Sequence, residues 1–381
     1  MLGKLVPSFV VVPLLILAVW AGPVLADDDE ADPQYELGDV SIPAATADEA
    51  FRADVSAAHG ATYLETGALY WSREKGCVSC HTNGSYMRIR PALTPHLGPP
   101  SEEVRTFFIS AMGKLKKMER EKQLAGIRPT QIAYVAAGLA EWDAHVGGQL
   151  SPETDEALKL MFSVQSDNGE WGNTDCWPPF ESSAYHGTTV AAMAAATAPG
   201  WLTSQDDPKI LESVERMKKY LRTQEPPHDY GRLLLLWTST RIDDLLSEKQ
   251  RQDLVESVWK HQRADGGWSI RTFAAPDAWG SGKRAEKLKQ EADFENPASD
   301  GHQTGLAVLV LRDAGVPAKD NRLQKAVKWL LANQKASGRW WTRSLNTDGP
   351  HYITFSATGY SLLALAKCDA LPKLTQKTAA K

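Results

Sequence analysis

The sequence predicts an all-α protein in which six helical hairpins close into a ring, an α6/α6 toroid. The pattern Gln-x-x-x-Gly-x-Trp occurs three times, at residues 165–171, 262–268 and 334–340. The segments before these turns carry apolar residues at helical spacing, as at Leu323, Val327 and Leu330. Each copy is followed by a segment rich in small and apolar residues, which is typical of a buried helix. An outer helix, a turn and an inner helix therefore recur, and six such pairs would close the ring.

The N-terminal residues predict export. Residues 1–26 carry one charge, Lys4, and an uninterrupted apolar-rich run over residues 5–20 that is shorter than the ~20 residues of a membrane span. This favours a signal peptide cleaved after Ala26 over a retained membrane anchor. We therefore expect a periplasmic or extracellular protein without a transmembrane segment after cleavage. Residues 27–48 are acidic and lack an apolar period, which predicts a disordered leader.

The rest of the chain divides into helical hairpins. Residues 49–148 predict two of them, 60–75 with 84–93 and 101–124 with 129–145. Residues 149–370 predict the remaining four, of which one keeps only Gln224 of the repeat pattern. Residues 371–381 form a flexible tail.

The repeated residues have a structural reason. Glycine permits the positive-φ turn that ends a helix, and tryptophan buries a large ring beside it. The glutamine amide can hydrogen-bond to the neighbouring repeat. We therefore interpret the pattern as structural and not as substrate-binding.

The three repeats resemble those of the squalene–hopene cyclase and prenyltransferase superfamily. The segment 337–368 also resembles the C-terminal part of exported bacterial squalene-cyclase-like proteins. The resemblance covers residues 150–368 and implies the toroid fold. It does not imply cyclase chemistry, because hopene-type cyclases protonate an alkene with Asp-x-Asp-Asp. Here Arg241 and Ser204 stand where the first aspartate would precede the two Asp-Asp pairs.

Prenyltransferase chemistry is not predicted either. An Asp-Asp-x-x-Asp pattern, which could hold magnesium and diphosphate, occurs once, at Asp28, Asp29 and Asp32. It lies in the predicted leader, where no helix would present it. Protein prenyltransferases bind zinc through an Asp-x-Cys pair, but Asp175 and Cys176 are adjacent.

The segment KGCVSCHTNGSY, residues 75–86, contains the pattern of covalent haem attachment. Cys77 and Cys80 are two residues apart, and His81 follows as the proximal ligand of the iron. The preceding segment GALYWSREKG resembles the first helix of small c-type cytochromes. Two alternatives remain, a disulfide between the two cysteines and a zinc site, which would need further ligands elsewhere. Because 60–75 is an outer helix, the motif would lie at the mouth where the inner helices begin.

Three histidines fall at one repeat position, the predicted start of an inner helix: His186, His228 and His302. They are candidates for acid–base groups facing a bound molecule, and His302 is also a candidate distal haem ligand. The alternative is that they cap their helices.

Methionine could occupy the distal side of a haem instead. Met112 and Met118 follow the motif at spacings that suit a small cytochrome-like domain of residues 50–148. That rival architecture would leave four hairpins as an open arc, and we favour the closed ring. A haem with an open sixth position is a third possibility.

Two further features lie in the repeat region. The 33 residues between Trp268 and His302 exceed the other turns and predict either a flap over one mouth or an idle insertion. Cys176 and Cys368 would lie at opposite ends of the ring, which predicts two free thiols.

These observations predict an exported toroid with one haem c, acting in electron transfer or in redox chemistry on a molecule in the axial cavity. The partner would be a redox protein or an apolar small molecule. The net charge of −5 argues against a nucleic-acid partner. Two other hypotheses are a non-catalytic binding toroid without haem and a terpenoid enzyme that lacks the usual aspartates. Whether the protein is an enzyme is left open by the sequence.

Overall fold

A computed structural model describes residues 34–38, 40–172, 177–180, 182–346 and 352–374. Within these ranges two strands form an antiparallel hairpin, β1 (Tyr35–Leu37) and β2 (Val40–Ile42). The described helices are α1 (Ala57–Tyr70), α2 (Asn83–Ile89), α3 (Thr94–Leu97), α4 (Glu102–Lys116), α5 (Arg120–Leu124), α6 (Arg128–Trp142), α7 (Pro152–Ser163), α8 (Ala184–Thr197), α9 (Pro208–Thr223), α10 (Asp229–Ser239), α11 (Glu248–Lys260), α12 (Ala285–Lys289), α13 (Gly301–Asp313), α14 (Asn321–Ala332) and α15 (Ile353–Lys367).

The predicted ring of six hairpins is confirmed. The outer helices are α1, α4, α7, α9, α11 and α14, and the inner helices are α2, α6, α8, α10, α13 and α15. The inner helices are buried on nearly every face, because each lies between two inner neighbours and the outer layer. Each inner helix contacts the next, and α15 packs against α2, which closes the ring. The rival open arc of four hairpins is therefore not observed.

The ring is joined by the glutamines of the repeat pattern. Gln165 donates to the carbonyl of Ser213 in the next outer helix, at 2.9 Å. Gln262 does the same with Arg322 at 2.8 Å. Gln334 makes the closing contact, because its Nε2 donates to the Ser56 carbonyl at 2.9 Å and its Oε1 accepts from the Ser56 amide at 2.6 Å. The predicted bond to the neighbouring repeat is thus present in all three copies.

The tryptophan and glycine of each repeat also take their predicted roles. The indole nitrogens of Trp171, Trp268 and Trp340 each donate to a carbonyl near the end of the outer helix, at 2.8–2.9 Å. The repeat glycines have φ between +90° and +97°. That backbone conformation lets the turn approach the next outer helix, where a side chain would collide.

The predicted disorder of the leader is wrong for residues 35–37 and 40–42. Tyr35, Val40 and Ile42 are buried, and the Tyr35 ring stacks on Tyr70 with centroids 4.3 Å apart. The alternating apolar residues on both sides of Gly38 are a hairpin signal that the acidic composition concealed. The predicted signal peptide, the Asp28 cluster and Cys176 lie outside the described residues. None of the described helices is both long enough and apolar enough to cross a membrane.

Candidate functional site

The Cys-x-x-Cys-His segment forms a tightly held loop between α1 and α2. A π-helical turn over Trp71–Lys75 extends α1 and ends at Gly76, which has φ +59°. The next residues return the chain toward the axis, and Asn83 begins α2. The motif therefore replaces the repeat turn of the first hairpin, as predicted.

Asn83 fixes the loop from inside. Its side chain is fully buried. Its Oδ1 accepts hydrogen bonds from the backbone amide of Ser79 at 2.8 Å and from the Ser79 hydroxyl at 3.2 Å. Its Nδ2 donates to the Cys77 carbonyl at 3.1 Å and to the Ser72 hydroxyl at 3.2 Å. One buried amide thus ties the π-helical turn, the first cysteine and the residue before the second one.

Other side chains hold the remaining carbonyls of the loop. Gln131 of α6 donates to the Val78 carbonyl at 3.1 Å, and the Ser85 hydroxyl donates to the Cys80 carbonyl at 2.8 Å. A Cβ at Gly84 would lie 2.2 Å from a backbone oxygen of the loop, so this position requires glycine. The loop is therefore pre-organised by its protein surroundings.

The three motif side chains differ in their surroundings. Cys77 is exposed, whereas Cys80 is buried. His81 is half-buried, with its ring stacked on Tyr352 at 4.3 Å and edge-on to Trp71 at 4.7 Å. Burial lowers the pKa of His81 to about 3, so the imidazole is neutral.

Haem attachment, a disulfide and a zinc site each require different properties of the three motif side chains. The Nδ1 of His81 is 2.7 Å from the Thr82 hydroxyl, which orients the ring, and Nε2 has no hydrogen-bond partner among the described residues. A neutral imidazole with one nitrogen anchored and the other free is the form that ligates iron. The two thiols are not bonded to each other. The described residues hold no cluster of three or more His, Cys, Asp or Glu side chains placed for a metal, so zinc finds no further ligands among them.

The distal candidates are not brought against His81. His302 is fully buried, and both of its ring nitrogens are engaged, Nδ1 with the Ser356 hydroxyl at 2.8 Å and Nε2 with the Tyr230 hydroxyl at 3.2 Å. Met112 is buried in the hydrophobic core from α4, and Met118 packs partly buried against that core. The ring contacts of His81 among the described residues are those with Trp71 and Tyr352. The identity of any distal ligand stays a prediction.

The three aligned histidines gather around the axis at the starts of their inner helices. The Nε2 of His186 lies 3.3 Å from the Tyr134 hydroxyl. His228 caps α10, since its Nδ1 accepts from the Gly231 amide at 3.0 Å, and its buried Nε2 has no partner among the described residues. Burial lowers the pKa of His186 and His302 to about 3 and that of His228 to about 4. They form a neutral polar core and not a charged one.

The long insertion covers this end of the axis. Its Trp279 is buried and packs on His228 with ring centroids 4.8 Å apart and on Tyr230 at 5.6 Å. Phe180 packs against His302 at 5.8 Å. The predicted flap thus lies over the mouth at the inner-helix N-termini, as an ordered cover with short helical turns.

The opposite mouth holds an axial cavity of about 660 Å³, whose lining residues were not predicted from the sequence. It is lined by residues from the C-terminal ends of the inner helices, including Trp237, Leu309 and Leu363, with Arg88 from α2. A volume of this size accommodates a small organic molecule. The sequence signals were weak, because the residues that converge here come from all six inner helices.

Two carboxylates of this cavity are ion-paired. Glu141 contacts Arg241 at 2.6 Å and His145 at 3.2 Å. Burial would raise the pKa of Glu141, but Arg241 and His145 outweigh it and lower the pKa to about 2. Asp313 pairs with Lys367 and accepts a hydrogen bond from the Trp237 indole at 3.0 Å. Glu141 is therefore ionised at neutral pH and holds no proton that a general acid could donate.

The remaining cysteines are only partly described. Cys368 is a free, buried thiol, and burial raises its pKa to about 11. The prediction of a free thiol is confirmed for Cys368, whereas Cys176 lies outside the described residues.

Comparison with known proteins supports the fold. No protein-family model and no curated protein matches this chain. Among solved structures, a wild-type glycosidase and a variant form of a glycosidase match with a TM-score of 0.51 each, at 10% and 9% identity, covering 82% of this chain and 97% of theirs. A variant of the type II terpene cyclase MstE from Scytonema, bound to geranylgeranyl dihydroxybenzoate, matches with a TM-score of 0.43 at 11% identity, covering 82% and 98%. At these identities the glycosidase likeness shows a shared toroid-like fold and nothing about the reaction, and the cyclase match, with its lower score, adds nothing to that.

Proposed function

We propose that this protein is an exported haem c protein built on a closed α/α toroid. Cys77 and Cys80 would hold the porphyrin through thioether bonds, and Nε2 of His81 would ligate the iron. When bound, haem c supplies one-electron transfer. The observation that carries the proposal is the pre-organised loop, in which His81 has one ring nitrogen anchored and the other free.

The chain's own residues would orient this group. Thr82 fixes the ring orientation of His81 through Nδ1, and Asn83 holds the backbone between the two cysteines through the Cys77 carbonyl and the Ser79 amide. Cys77 is exposed, so the attached group would begin at the protein surface, where a partner redox protein can approach. Electron transfer with such a partner, or redox chemistry on a molecule in the axial cavity, is the role that this arrangement supports.

The test is attachment itself. The full chain is produced in a host with c-type haem maturation and analysed by intact mass, haem stain on a denaturing gel and absorption spectrum. We expect a mass gain of one haem and a Soret band. The variant Cys77→Ser/Cys80→Ser should lose both, whereas the matched variant Cys368→Ser should retain both. An unmodified mass and a colourless protein, from a host that matures a known cytochrome c in parallel, would overturn the proposal.

A second candidate, a ligand-binding toroid without haem, is favoured by one observation, the axial cavity. It becomes the leading interpretation if the attachment test fails. Acid-catalysed terpenoid or glycoside chemistry is not proposed, because Glu141 and Asp313, two carboxylates of the cavity, are ion-paired.

A further inference from the structure

Arg88 is the cation that stands out in the axial cavity. It projects from α2 into the cavity, where its guanidinium lies over the ring of Tyr134 at 5.2 Å. It makes no salt bridge and no hydrogen bond with any residue that the structure describes. A guanidinium has five N–H donors, and those of Arg88 are not among the buried nitrogens that lack a partner. They therefore face the open space of the cavity, where a ligand can accept hydrogen bonds from them.

Three other lysines and arginines line the cavity, of which Lys373 is exposed and the other two are ion-paired. Arg241 pairs with Glu141 at 2.6 Å, and Lys367 pairs with Asp313. Neither has to release its partner for an anion to reach Arg88. Apart from the exposed Lys373, Arg88 of α2 is therefore the one lysine or arginine of this wall without a salt bridge among the described residues.

The rest of the wall determines what else a ligand must carry. Trp237, Leu309 and Leu363 present apolar surface to the same cavity. Glu141 also faces it and is ionised, because its pKa lies near 2. A dianion at Arg88 would be repelled by this carboxylate, whereas a monoanion can be accommodated beside it.

We propose that the axial cavity binds a small molecule with one carboxylate on an apolar body, and that Arg88 recognises the carboxylate. The planar guanidinium matches the two carboxylate oxygens, which accept parallel hydrogen bonds. The apolar body lies against Trp237, Leu309 and Leu363. This site is at the opposite mouth from the haem loop and does not depend on haem attachment.

The test uses three probes on the full exported chain, followed by isothermal titration calorimetry. Octanoate carries the required charge and an apolar body, octanol has the same body without charge, and inorganic phosphate has charge without the body. We expect octanoate to bind and the other two probes to bind at least roughly tenfold more weakly. Octanol lacks the charge-assisted hydrogen bond, and phosphate lacks the apolar body.

Variants then assign the binding to one residue. Arg88→Met should weaken octanoate binding roughly tenfold or more and leave octanol binding unchanged, which also shows that the cavity is intact. Arg88→Lys should give an intermediate affinity, because lysine keeps the charge but cannot donate the two parallel hydrogen bonds of the guanidinium. Arg251→Met removes the same charge from the outer helix α11 and should have no effect. Equal octanoate affinity in Arg88→Met and the unsubstituted protein, preference for phosphate, or no binding of octanoate would overturn the proposal, whether or not haem is attached.

Discussion

Replacing Asn83 by alanine should loosen the Cys-x-x-Cys-His loop without unfolding the ring. The Asn83 amide makes four hydrogen bonds, all within the loop and the turn before it. The helices that close the ring are joined by other contacts, such as those of Gln334. The loop is therefore the part of the structure that this substitution affects first.

The magnitude follows from the groups left without partners. The Ser79 amide is buried and loses its acceptor, whereas the Cys77 carbonyl lies on an exposed residue and can bond to water. One buried donor without a partner costs about 2 kcal/mol. Local opening of the loop should become easier by that amount, which corresponds to an increase of about 30-fold in the open population.

The assay is thiol labelling of protein made without haem maturation, in a Cys176→Ser background. Cys77 is exposed and should react at once, while Cys80 and Cys368 are buried and should react through opening. In Asn83→Ala the labelling rate of Cys80 should rise about 30-fold. Cys368 lies at the end of α15 and is the internal reference, whose rate should not change.

Two results would refute this reasoning. If Cys80 reacts as fast as Cys77 in the unsubstituted protein, the loop is not held as the structure describes. If Asn83→Ala leaves the rate of Cys80 unchanged, the amide does not hold it. Asn333→Ala, which removes one bond to the Trp329 carbonyl elsewhere in the ring, is the matched control and should leave Cys80 protected.

Two further predictions concern stability. Gln334→Ala should lower the free energy of unfolding by about 3 kcal/mol and Gln262→Ala by about 1 kcal/mol, because the first amide is buried and makes three bonds while the second is more exposed and makes two. Urea unfolding measures both, and equal losses would contradict the ring-closing role. Stability should also fall as pH drops below 6.5, since the aligned histidines bind protons near 6.5 when unfolded but only near pH 3 to 4 when folded. His302→Gln should lower the acid-unfolding midpoint measured by circular dichroism, and an unchanged midpoint would count against this origin.

The fold was predictable because the repeat pattern encodes both the local contacts of each turn and a bond to the neighbouring hairpin. Gly338 and Trp340 act within the turn that they form, and Gln334 bonds to the adjacent hairpin, so three copies specify both the hairpin and its neighbour. The β-hairpin at 35–42 was missed because its signal is two three-residue strands in an acidic segment. Composition outweighed a short pattern there.

The site was predictable only in part. The motif residues were found because Cys77, Cys80 and His81 fall within one pattern of five residues. Asn83 gave no signal, because its role depends on a π-helical turn that brings Ser72 and Cys77 to one amide. Arg88 gave none either. That it makes no salt bridge with a described residue is a property of the assembled cavity.

Helix α2 carries both the residue that holds the motif loop and the residue that faces the cavity. Asn83 at its start holds the motif loop, and Arg88, five residues further, faces the cavity; this separation is about 7.5 Å along the helix at ~1.5 Å per residue. The helix packs against α6 on one side and α15 on the other, so it is held in place within the ring. An anion bound at Arg88 would therefore change the electrostatic potential near the loop without displacing it, because charge acts across this distance in a poorly solvated interior. A bound carboxylate should accordingly lower the reduction potential of a haem at Cys77 and Cys80, since it stabilises the oxidised iron.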